Sequence, residues 1–375
     1  MDVYMDHAAA TGTCKEALNA MLPWFCEQYG NPSSLHHFGF AAKKAMQCAR
    51  KKLAGLLSCE MNELYFTAGG TEADNWAIKG YLLANQNRGK HVITSSIEHP
   101  AVLRTCEYMK KFGYELTILP VSKEGRISPE CVREAIRPDT ALISIQYANN
   151  EIGTIQPIAE IGAIAEQAKV AFHTDAVQAV GQLPISLKDL PVTMLSASSH
   201  KFGGPKGCGF LYVKDGTVME PLLHGGPQEK RLRAGTENVP AIIGTAAALE
   251  ISCKENRQEV AKLRDYLKQR ILESIPDVRL NGSTEECLPG SLSVSFGGVE
   301  ATALLVYLDL AGIAASGGSA CSSAENRPSE VLQAIGAEEP YLSGTIRFTL
   351  NADNTYEEAD YVVKTLQETV KKLRR

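Results

Sequence analysis

The sequence predicts an α/β protein with a mostly parallel sheet covered by helices on both faces, followed by a smaller α+β region. Between about residues 62 and 215, β-prone apolar runs alternate with helical patterns, which is typical of parallel strands joined by crossover helices. Polar side chains directly follow several of these strands, and ligands bind at the carboxyl ends of strands in such sheets. After Gly235 the alternation gives way to longer helices and fewer strands.

Apolar spacing and turn residues predict each element of the large region. A helix over 40–57 carries small and apolar residues on one face. A second helix, ending near Asn85, starts after Gly69 and Gly70, where Thr71 and Asp74 resemble a capping box. The other predicted elements here are strands at 65–67, 91–94, 116–121, 141–147, 170–173, 192–197 and 209–213, and helices at 100–112, 128–137 and 158–169.

The smaller region is predicted from the same patterns. Its strands are expected at 278–280, 291–296 and 345–350, and its helices at 302–310 and 356–373. One further helix is expected from 241 to 249, continuing with some adjustment toward 272.

Length and composition restrict the functional class. The 375 residues are enough for two domains, and 44% hydrophobic with 22% charged residues is typical of a globular chain. A formal net charge of -5 does not favour nucleic acid or a membrane surface as partner. No apolar run of about 18 residues and no basic leader is found. Ten cysteines without a CxxC pair predict neither disulfides nor a metal site, and favour a cytoplasmic location.

Lys201 lies between two β-prone apolar runs, in the segment from Ser198 to Gly207. Burial disfavours an ammonium group, so a lysine here is expected to become a usable amine, which can form a Schiff base with an aldehyde. The flanking hydroxyls and His200 suit a phosphate, which favours pyridoxal 5'-phosphate (PLP) as the aldehyde. A glycine-rich surface turn with a solvated lysine explains this stretch equally well.

A second candidate phosphate site precedes the helix that begins near Thr71. Glycines before a helix N-terminus leave backbone N–H groups free for an anion. An ordinary capped helix explains Gly69, Gly70 and Thr71 as well, and is favoured when this turn is considered alone.

Three polar residues after predicted strands suit the ring of PLP. Asp175 would pair with the pyridine nitrogen and keep it protonated, and Gln178 would reach the phenolic oxygen. His99 would stack on the ring and move protons, because its pKa is near neutral. Asp175 is individually as well explained as a helix N-cap, and a histidine such as His99 is more often structural.

Two residues of the C-terminal third suit substrate chemistry. Cys321 lies within a run of small residues at 315–324, and a mobile thiol would serve as a nucleophile that enters a site and leaves with its cargo. An incidental cysteine in a flexible loop is the simpler explanation by composition alone. Arg347 lies in an apolar strand, where its planar fork fits the carboxylate of an amino acid.

Taken together, these residues resemble the cysteine desulfurases of the class V aminotransferase family, which are fold-type I PLP enzymes, and within them the NifS/IscS-like group. The resemblance covers nearly the whole chain and follows one order. The matching segments are 4–11, 30–33, the Gly-Gly-Thr-Glu turn at Gly69, 98–99, 149–153, 175–178, 198–207, 233–238, 319–323 and Arg347.

The resemblance implies a role for each candidate residue. Lys201 would bind PLP as a Schiff base, with Asp175 at the pyridine nitrogen, Gln178 at the phenolic oxygen and His99 stacked on the ring. The phosphate would be bound by Gly70, Thr71, Ser198 and His200, and by Thr236 of the neighbouring subunit, which implies a homodimer. Asn150 and Arg347 would bind the substrate carboxylate, and Cys321 would accept the sulfur.

The implied reaction converts L-cysteine to L-alanine and leaves a persulfide on Cys321 for an acceptor protein, such as an Fe–S scaffold or a thiolation enzyme. The implied fold has a seven-stranded, mostly parallel sheet in a large domain at 14–255. A small domain at 1–13 and 256–375 would carry the cysteine loop.

Some positions depart from the family pattern, and other functions remain open. Gly70 stands where the family usually has alanine, which predicts a looser phosphate turn. The chain stops at its last helix, where scaffold-docking relatives have a further tail, so an Fe–S scaffold stays one candidate among the acceptors and docking without the tail is left open. A selenocysteine lyase or an aminotransferase on the same fold is the alternative, and a non-catalytic sulfur carrier is a third.

Overall fold

The computed structural model describes residues 1–318 and 329–374, and these residues form an α/β architecture. The strands are β1 (Val3–Tyr4), β2 (Leu64–Thr67), β3 (His91–Ser95), β4 (Glu115–Leu119), β5 (Thr140–Ser144), β6 (Ala171–Asp175), β7 (Met194–Ser198), β8 (Gly209–Val213), β9 (Val278–Asn281), β10 (Ser291–Phe296), β11 (Ile313–Ala314) and β12 (Thr345–Thr349). The α-helices are α1 (Lys15–Met21), α2 (Pro23–Cys26), α3 (His37–Leu57), α4 (Gly70–Ala84), α5 (Pro100–Met109), α6 (Pro129–Ala135), α7 (Ile158–Gln167), α8 (Val239–Ser252), α9 (Arg257–Ser274), α10 (Ala301–Leu310), α11 (Glu330–Ala334) and α12 (Tyr356–Leu373).

The central sheet has seven strands in the order β2-β8-β7-β6-β5-β3-β4. All neighbours pair in parallel except at β8, which is antiparallel to both β2 and β7. The prediction of a mostly parallel, seven-stranded sheet is therefore confirmed. Because β3, β5, β6 and β7 run in one direction, their carboxyl ends lie at one edge of the sheet.

Helices cover both faces of this sheet. On one face Leu53 of α3 and Ile242 of α8 belong to a large buried apolar cluster. On the other, Trp76 of α4 and Val102 of α5 pack against the inner strands and are fully buried. Each such side chain contributes roughly 1.5–3 kcal/mol by leaving water, so the sheet is a rigid platform for residues at its edge.

The C-terminal third has a separate apolar core. Strands β12, β10 and β9 form an antiparallel sheet against which α9 and α12 pack, burying Leu267, Phe348 and Leu366. Val3 and Met5 belong to this core as well, because β1 pairs in parallel with β11. We propose a large domain at 14–255 and a small domain at 1–13 and 256–375, and the separate apolar core supports this division.

Two local predictions need correction. The capping box at Thr71 and Asp74 is wrong: in the described chain Gly69 is the N-cap of α4 and no side chain caps it. Instead the carboxylate of Glu72 accepts the Ala68 N–H, which leaves Asp74 to face inward. The helix expected from 241 toward 272 is two helices, because Asn256 caps the start of a new one.

Among the described residues, no helix combines the length and apolarity needed to cross a membrane.

Candidate active site

Ten residues predicted from sequence line one cavity of about 280 Å³ at the carboxyl edge of the central sheet. They are Gly70, Thr71, His99, Asn150, Asp175, Gln178, Ser198, His200, Lys201 and Arg347. Most of them lie near the ends of strands of the central sheet, whereas Arg347 lies on β12 of the antiparallel sheet. Only the folded chain therefore brings them together.

Lys201 ends a single turn of 3-10 helix that follows β7. Its Nζ donates hydrogen bonds to the carbonyl oxygens of Ala8 at 2.5 Å and Ala9 at 2.8 Å. Thr11 fixes this N-terminal segment against the lysine turn, since its hydroxyl donates to the carbonyl of His200 and accepts from the N–H of Gly203. The first residues of the chain therefore form one wall of the cavity.

Asp175 is the last residue of β6 and is nearly buried. Burial raises the pKa of its carboxyl, whereas the charges of His99 and Lys201 and a 2.9 Å hydrogen bond from the Val177 N–H act in the opposite direction. Within the described chain Asp175 is followed by turns, so the helix N-cap interpretation is wrong. Asp175 and Lys201 thus line the same cavity of about 280 Å³.

His99 has the structural role weighed from sequence and also lines the cavity. It is the N-cap of α5, and its Nδ1 accepts the Ala101 N–H at 3.1 Å. The acceptor role of Nδ1 leaves the proton of the neutral ring on Nε2. Burial lowers the pKa of His99, and the nearby charge of Lys201 lowers it further, whereas Asp175 raises it. A neutral imidazole in a fixed orientation therefore faces the cavity.

The turn before α4 forms the other end of the cavity. Gly69 adopts φ 149°, which favours glycine, and the first N–H groups of α4 have no partners within the helix. A Cβ on Gly70 would lie 2.6 Å from Cγ2 of Val177, so that side chain fills the space. The packing at Gly70 is therefore tight, in contrast to the looser turn that was predicted. A helix N-terminus with hydroxyl neighbours Thr71 and Ser198 suits a phosphate.

Arg347 and Asn150 occupy the side of the cavity toward the C-terminal core. The Arg347 guanidinium is 1% exposed and donates to the carbonyl of Asn150 at 2.8 Å and to Asp6 Oδ1 at 2.7 Å. Its buried Nε has no hydrogen-bond partner in the part of the chain that the structure describes. Asp6 was missed by sequence reasoning, although a carboxylate in the apolar N-terminal segment is the partner that a buried arginine requires.

Gln178 contacts the N-terminal wall of the cavity. Its Nε2 donates to the Ala8 carbonyl at 3.1 Å, next to the hydrogen bond made by Lys201. Thr236 is exposed and lies outside the residues that line the cavity. Cys321 lies outside the described residues, so its proposed role depends on the sequence alone.

Two buried carboxyl groups next to the cavity were not predicted. Glu98 accepts from the Ser95 hydroxyl at 2.5 Å and from the Gln146 N–H, and burial raises its pKa to about 8. Asp74 lines the cavity, and burial and the charge of Asp175 raise the pKa of Asp74 well above its usual range. The local pattern marked Asp74 only as part of a helix cap, because its position depends on where α4 begins.

PLP fits this set of groups better than a metal ion does. Atoms of Asp74, His99 and Asp175 that could ligate a metal lie within 4.8 Å of one another, but Lys201 shares the cavity. An amine suits an aldehyde, and Asp175 suits a pyridinium. His200 offers a buried Nδ1 that has no hydrogen-bond partner among the described residues, beside the helix N-terminus that suits a phosphate.

The fold and cavity define a class V aminotransferase, and the chain belongs to that family. The family model Aminotransferase class-V matches residues 3–362. Enzymes of this family depend on PLP.

Relatives within the family carry more particular names. The chain is 51% identical over 375 residues to the cysteine desulfurase IscS of Methanosarcina thermophila, covering 99% of this chain and 93% of that protein. It is 47% identical to the cysteine desulfurase IscS of Dictyoglomus turgidum, covering 100% and 95% of the two chains.

Solved structures give the same grouping. A NifS-like protein superposes with a TM-score of 0.93 at 37% identity, covering 99% of this chain and 100% of the other. A structure described as SspA in complex with cysteine has a TM-score of 0.84 at 38% identity, covering 93% and 98%.

Proposed function

We propose that the protein is a PLP-dependent cysteine desulfurase that removes sulfur from L-cysteine, releases L-alanine and leaves a persulfide on Cys321. The observation that carries the proposal is the shared cavity of Lys201, Asp175 and His99, with Arg347 at its other side. The names of the relatives support cysteine as the substrate.

Each residue of the cavity has a proposed task around the cofactor. Bound PLP would draw electrons from the Cα of the amino acid, which weakens its Cα–H and Cβ–S bonds. Asp175 would keep the pyridine nitrogen protonated, and Gln178 would contact the phenolic oxygen. The phosphate would bind at the N-terminus of α4, contacted by Gly70, Thr71, Ser198 and His200.

Arg347 and Asn150 would bind the substrate carboxylate. The guanidinium keeps its orientation through Asp6 and through the Asn150 carbonyl, which leaves its Nε edge for a ligand. The Nζ of Lys201 would take the Cα proton, because this amine shares the cavity with the reacting atoms. His99 would carry a second proton through Nε2, since its ring is neutral and held by the Ala101 N–H.

The thiolate of Cys321 would then attack the sulfur of the substrate. An S–S bond forms on Cys321 while the Cβ–S bond breaks, and the electron pair of that bond remains on the carbon. That carbon then takes up a proton from the cavity and becomes the methyl group of alanine. Because the carbon keeps the electron pair, the sulfur transfer needs no external oxidant. The sequence at 315–324 is rich in small residues, which suits a thiol that has to move toward the substrate and away again.

Exposed apolar side chains support a homodimer. Seven large hydrophobic residues between 18 and 40 are exposed, which is more than one short segment of a monomer usually presents. They are Leu18, Leu22, Phe25, Tyr29, Leu35, Phe38 and Phe40. In the dimer, Thr236 would contact the phosphate of the partner's PLP, which fits its exposure on the isolated chain. Light scattering of the purified protein tests the dimer.

We further propose a cytoplasmic enzyme that delivers sulfur to an acceptor protein. The nine cysteines within the described residues are all free thiols, which suits a reducing compartment. An Fe–S scaffold or a thiolation enzyme has the chemistry to accept a persulfide. Loading the protein with labelled cysteine and isolating what receives the label would identify the acceptor.

Turnover of L-cysteine tests the proposed function. The holoenzyme should release one alanine per sulfur transferred, and Cys321→Ala should abolish persulfide formation with PLP still bound. Cys48→Ala, which removes an exposed thiol, is the matched control and should keep full activity. Alanine release that requires a keto acid, or that occurs only from selenocysteine, would instead identify an aminotransferase or a selenocysteine lyase.

A further inference from the structure

A second carboxyl group lies beside the one assigned to the pyridine nitrogen. Asp74 projects from α4 and is 1% exposed, and Asp175 ends β6 at 7% exposed. Their oxygens and a ring nitrogen of His99 lie within 4.8 Å of one another. The Oδ1 of Asp74 has no hydrogen-bond partner in the part of the chain that the structure describes.

The groups that face Asp74 do not stabilise a negative charge there. Asp175 on β6 and Glu98 before α5 act on it as like charges. His173 on β6 is closest among the basic groups, with its Nε2 3.6 Å from Asp74 Oδ1. The nearby Ser196 hydroxyl on β7 acts in the opposite direction on the pKa of Asp74, but burial and the charge of Asp175 outweigh it.

His173 itself is a neutral group in this arrangement. Its Nδ1 is 2.8 Å from the Ser144 hydroxyl and its Nε2 is 3.0 Å from the Ser196 hydroxyl. Burial lowers its pKa to about 3. The His173 ring is therefore neutral, and its 3.6 Å distance from Asp74 Oδ1 is too long for a hydrogen bond. The contact is not an ion pair.

Two carboxylates this close in a buried site repel each other, which favours a proton on one of them. Asp175 is the better anion, because it receives the Val177 N–H and faces the charge of Lys201. The Oδ1 of Asp74 has no such donor among the described residues. The proton of the pair therefore belongs on Asp74.

We propose that Asp74 is a positioning residue that remains a protonated carboxylic acid, and that it thereby keeps Asp175 as the single carboxylate available to the pyridine nitrogen. Asp74 acts through Asp175 and not on the substrate. The inference rests on the PLP part of the proposed function, and is independent of whether cysteine is the substrate.

Infrared difference spectra of the holoenzyme test the protonation state directly. Asp74→Asn removes the acid but keeps a neutral side chain that can donate a hydrogen bond. The wild-type minus variant spectrum should contain the carbonyl stretch of a carboxylic acid. Asp139→Asn is the matched control: this carboxylate pairs with Arg137, its pKa is lowered, and its removal should show only carboxylate bands.

The retention of PLP gives the second readout. Asp74→Asn should keep the absorption spectrum and the PLP dissociation rate within about twofold, because the variant mimics the neutral acid. If protonated Asp74 donates a hydrogen bond to Asp175, as the proposal implies, Asp74→Leu removes it and should release PLP about tenfold faster or more, the effect expected for one hydrogen bond to a charged group.

Two results would overturn the proposal. The first is a spectrum in which Asp74→Asn removes carboxylate bands and no acid carbonyl, which would mean that Asp74 is ionised. The second is an Asp74→Leu variant that folds and keeps PLP as firmly as the wild type. If that variant does not fold, the Asp74→Asn spectrum still decides the question. A protein that binds PLP but forms no alanine from cysteine would refute the desulfurase proposal alone.

Discussion

Replacing Arg347 with lysine tests how the cavity binds the substrate carboxylate. The guanidinium spans two fixed acceptors, the Asn150 carbonyl at 2.8 Å and Asp6 Oδ1 at 2.7 Å, and its Nε remains for a ligand. An ammonium is a single point of charge, so it cannot contact both acceptors and also pair with a carboxylate in the planar geometry of arginine.

The expected loss of substrate binding can be estimated from the one hydrogen bond that the lysine cannot make. Losing one hydrogen bond between charged groups costs about 1.5–3 kcal/mol, which is about a 10- to 150-fold change in binding. The substrate carboxylate does not react, so its contact is equally strong in the ground state and the transition state. The loss should therefore raise KM by about this factor and leave kcat within about threefold.

Steady-state kinetics with L-cysteine measure both constants, and PLP absorption verifies that the site is intact. Arg279→Lys is the matched control, because Arg279 is an exposed arginine on β9 of the same antiparallel sheet, where it stacks on Tyr341. A fall in kcat with unchanged KM, or an equal effect in both variants, would refute the carboxylate-binding role of Arg347.

Three further predictions concern the cavity walls. Gly70→Ala should destabilise the protein by about 1–3 kcal/mol, because the new methyl group meets Cγ2 of Val177 at 2.6 Å, and adding Val177→Ala should restore most of the loss. His99→Asn keeps an N-cap acceptor for α5 but carries no proton, so it should retain PLP and lower kcat by about 10²- to 10⁴-fold. Glu98→Gln should gain stability relative to the wild type as pH rises toward 8, by about 1.4 kcal/mol per pH unit.

The raised pKa of Glu98 makes the folding stability of the wild type fall as pH rises. Folding stability from a group whose pKa rises on folding is fully present below the pKa of the unfolded state, near 4.3, and is lost as pH rises through the folded value, about 8. Glutamine cannot lose a proton, so the variant escapes this loss. Urea unfolding across this window measures it, and parallel curves for the two proteins would contradict a protonated Glu98.

The three tests also have internal controls. Thermal unfolding of the single and double variants at Gly70 and Val177 separates packing from any effect on the cofactor, and a double variant as unstable as the single one contradicts the steric argument. For His99, an Asn variant with wild-type kcat contradicts the proton-carrier role. Loss of helicity in that variant would indicate that the cap was not preserved.

The central sheet and the positions around Lys201 could be predicted because their causes are local. Alternation of strands and helices fixes a parallel sheet, and its edge collects whatever follows the strands. Asp175, Ser198 and Lys201 therefore lie in one cavity, as their positions after strands predicted. The helix over 356–373 was predicted to the residue, and in the structure a capping box of Thr355 and Glu358 fixes its start.

Long-range partners could not be predicted in this way. Asp6 and Arg347 are separated by 341 residues, and no periodicity relates them. Asp74 was assigned to a cap because the pattern of Thr71 does not specify the first residue of α4, and a shift of that start turns the carboxyl group from the surface into the cavity. A charged residue that breaks an apolar pattern shows that a partner exists, and only the fold shows which one.

The central claim is that Lys201, facing Asp175 across a cavity, binds PLP covalently. Borohydride reduction of the purified holoenzyme, followed by peptide mapping, tests it most directly. Lys206 lies five residues further along the chain and lines the adjoining pocket, so it is an internal comparison within the same segment. We predict that the reduced cofactor is found on Lys201 alone; its presence on Lys206, or on no lysine of the protein, would contradict the account.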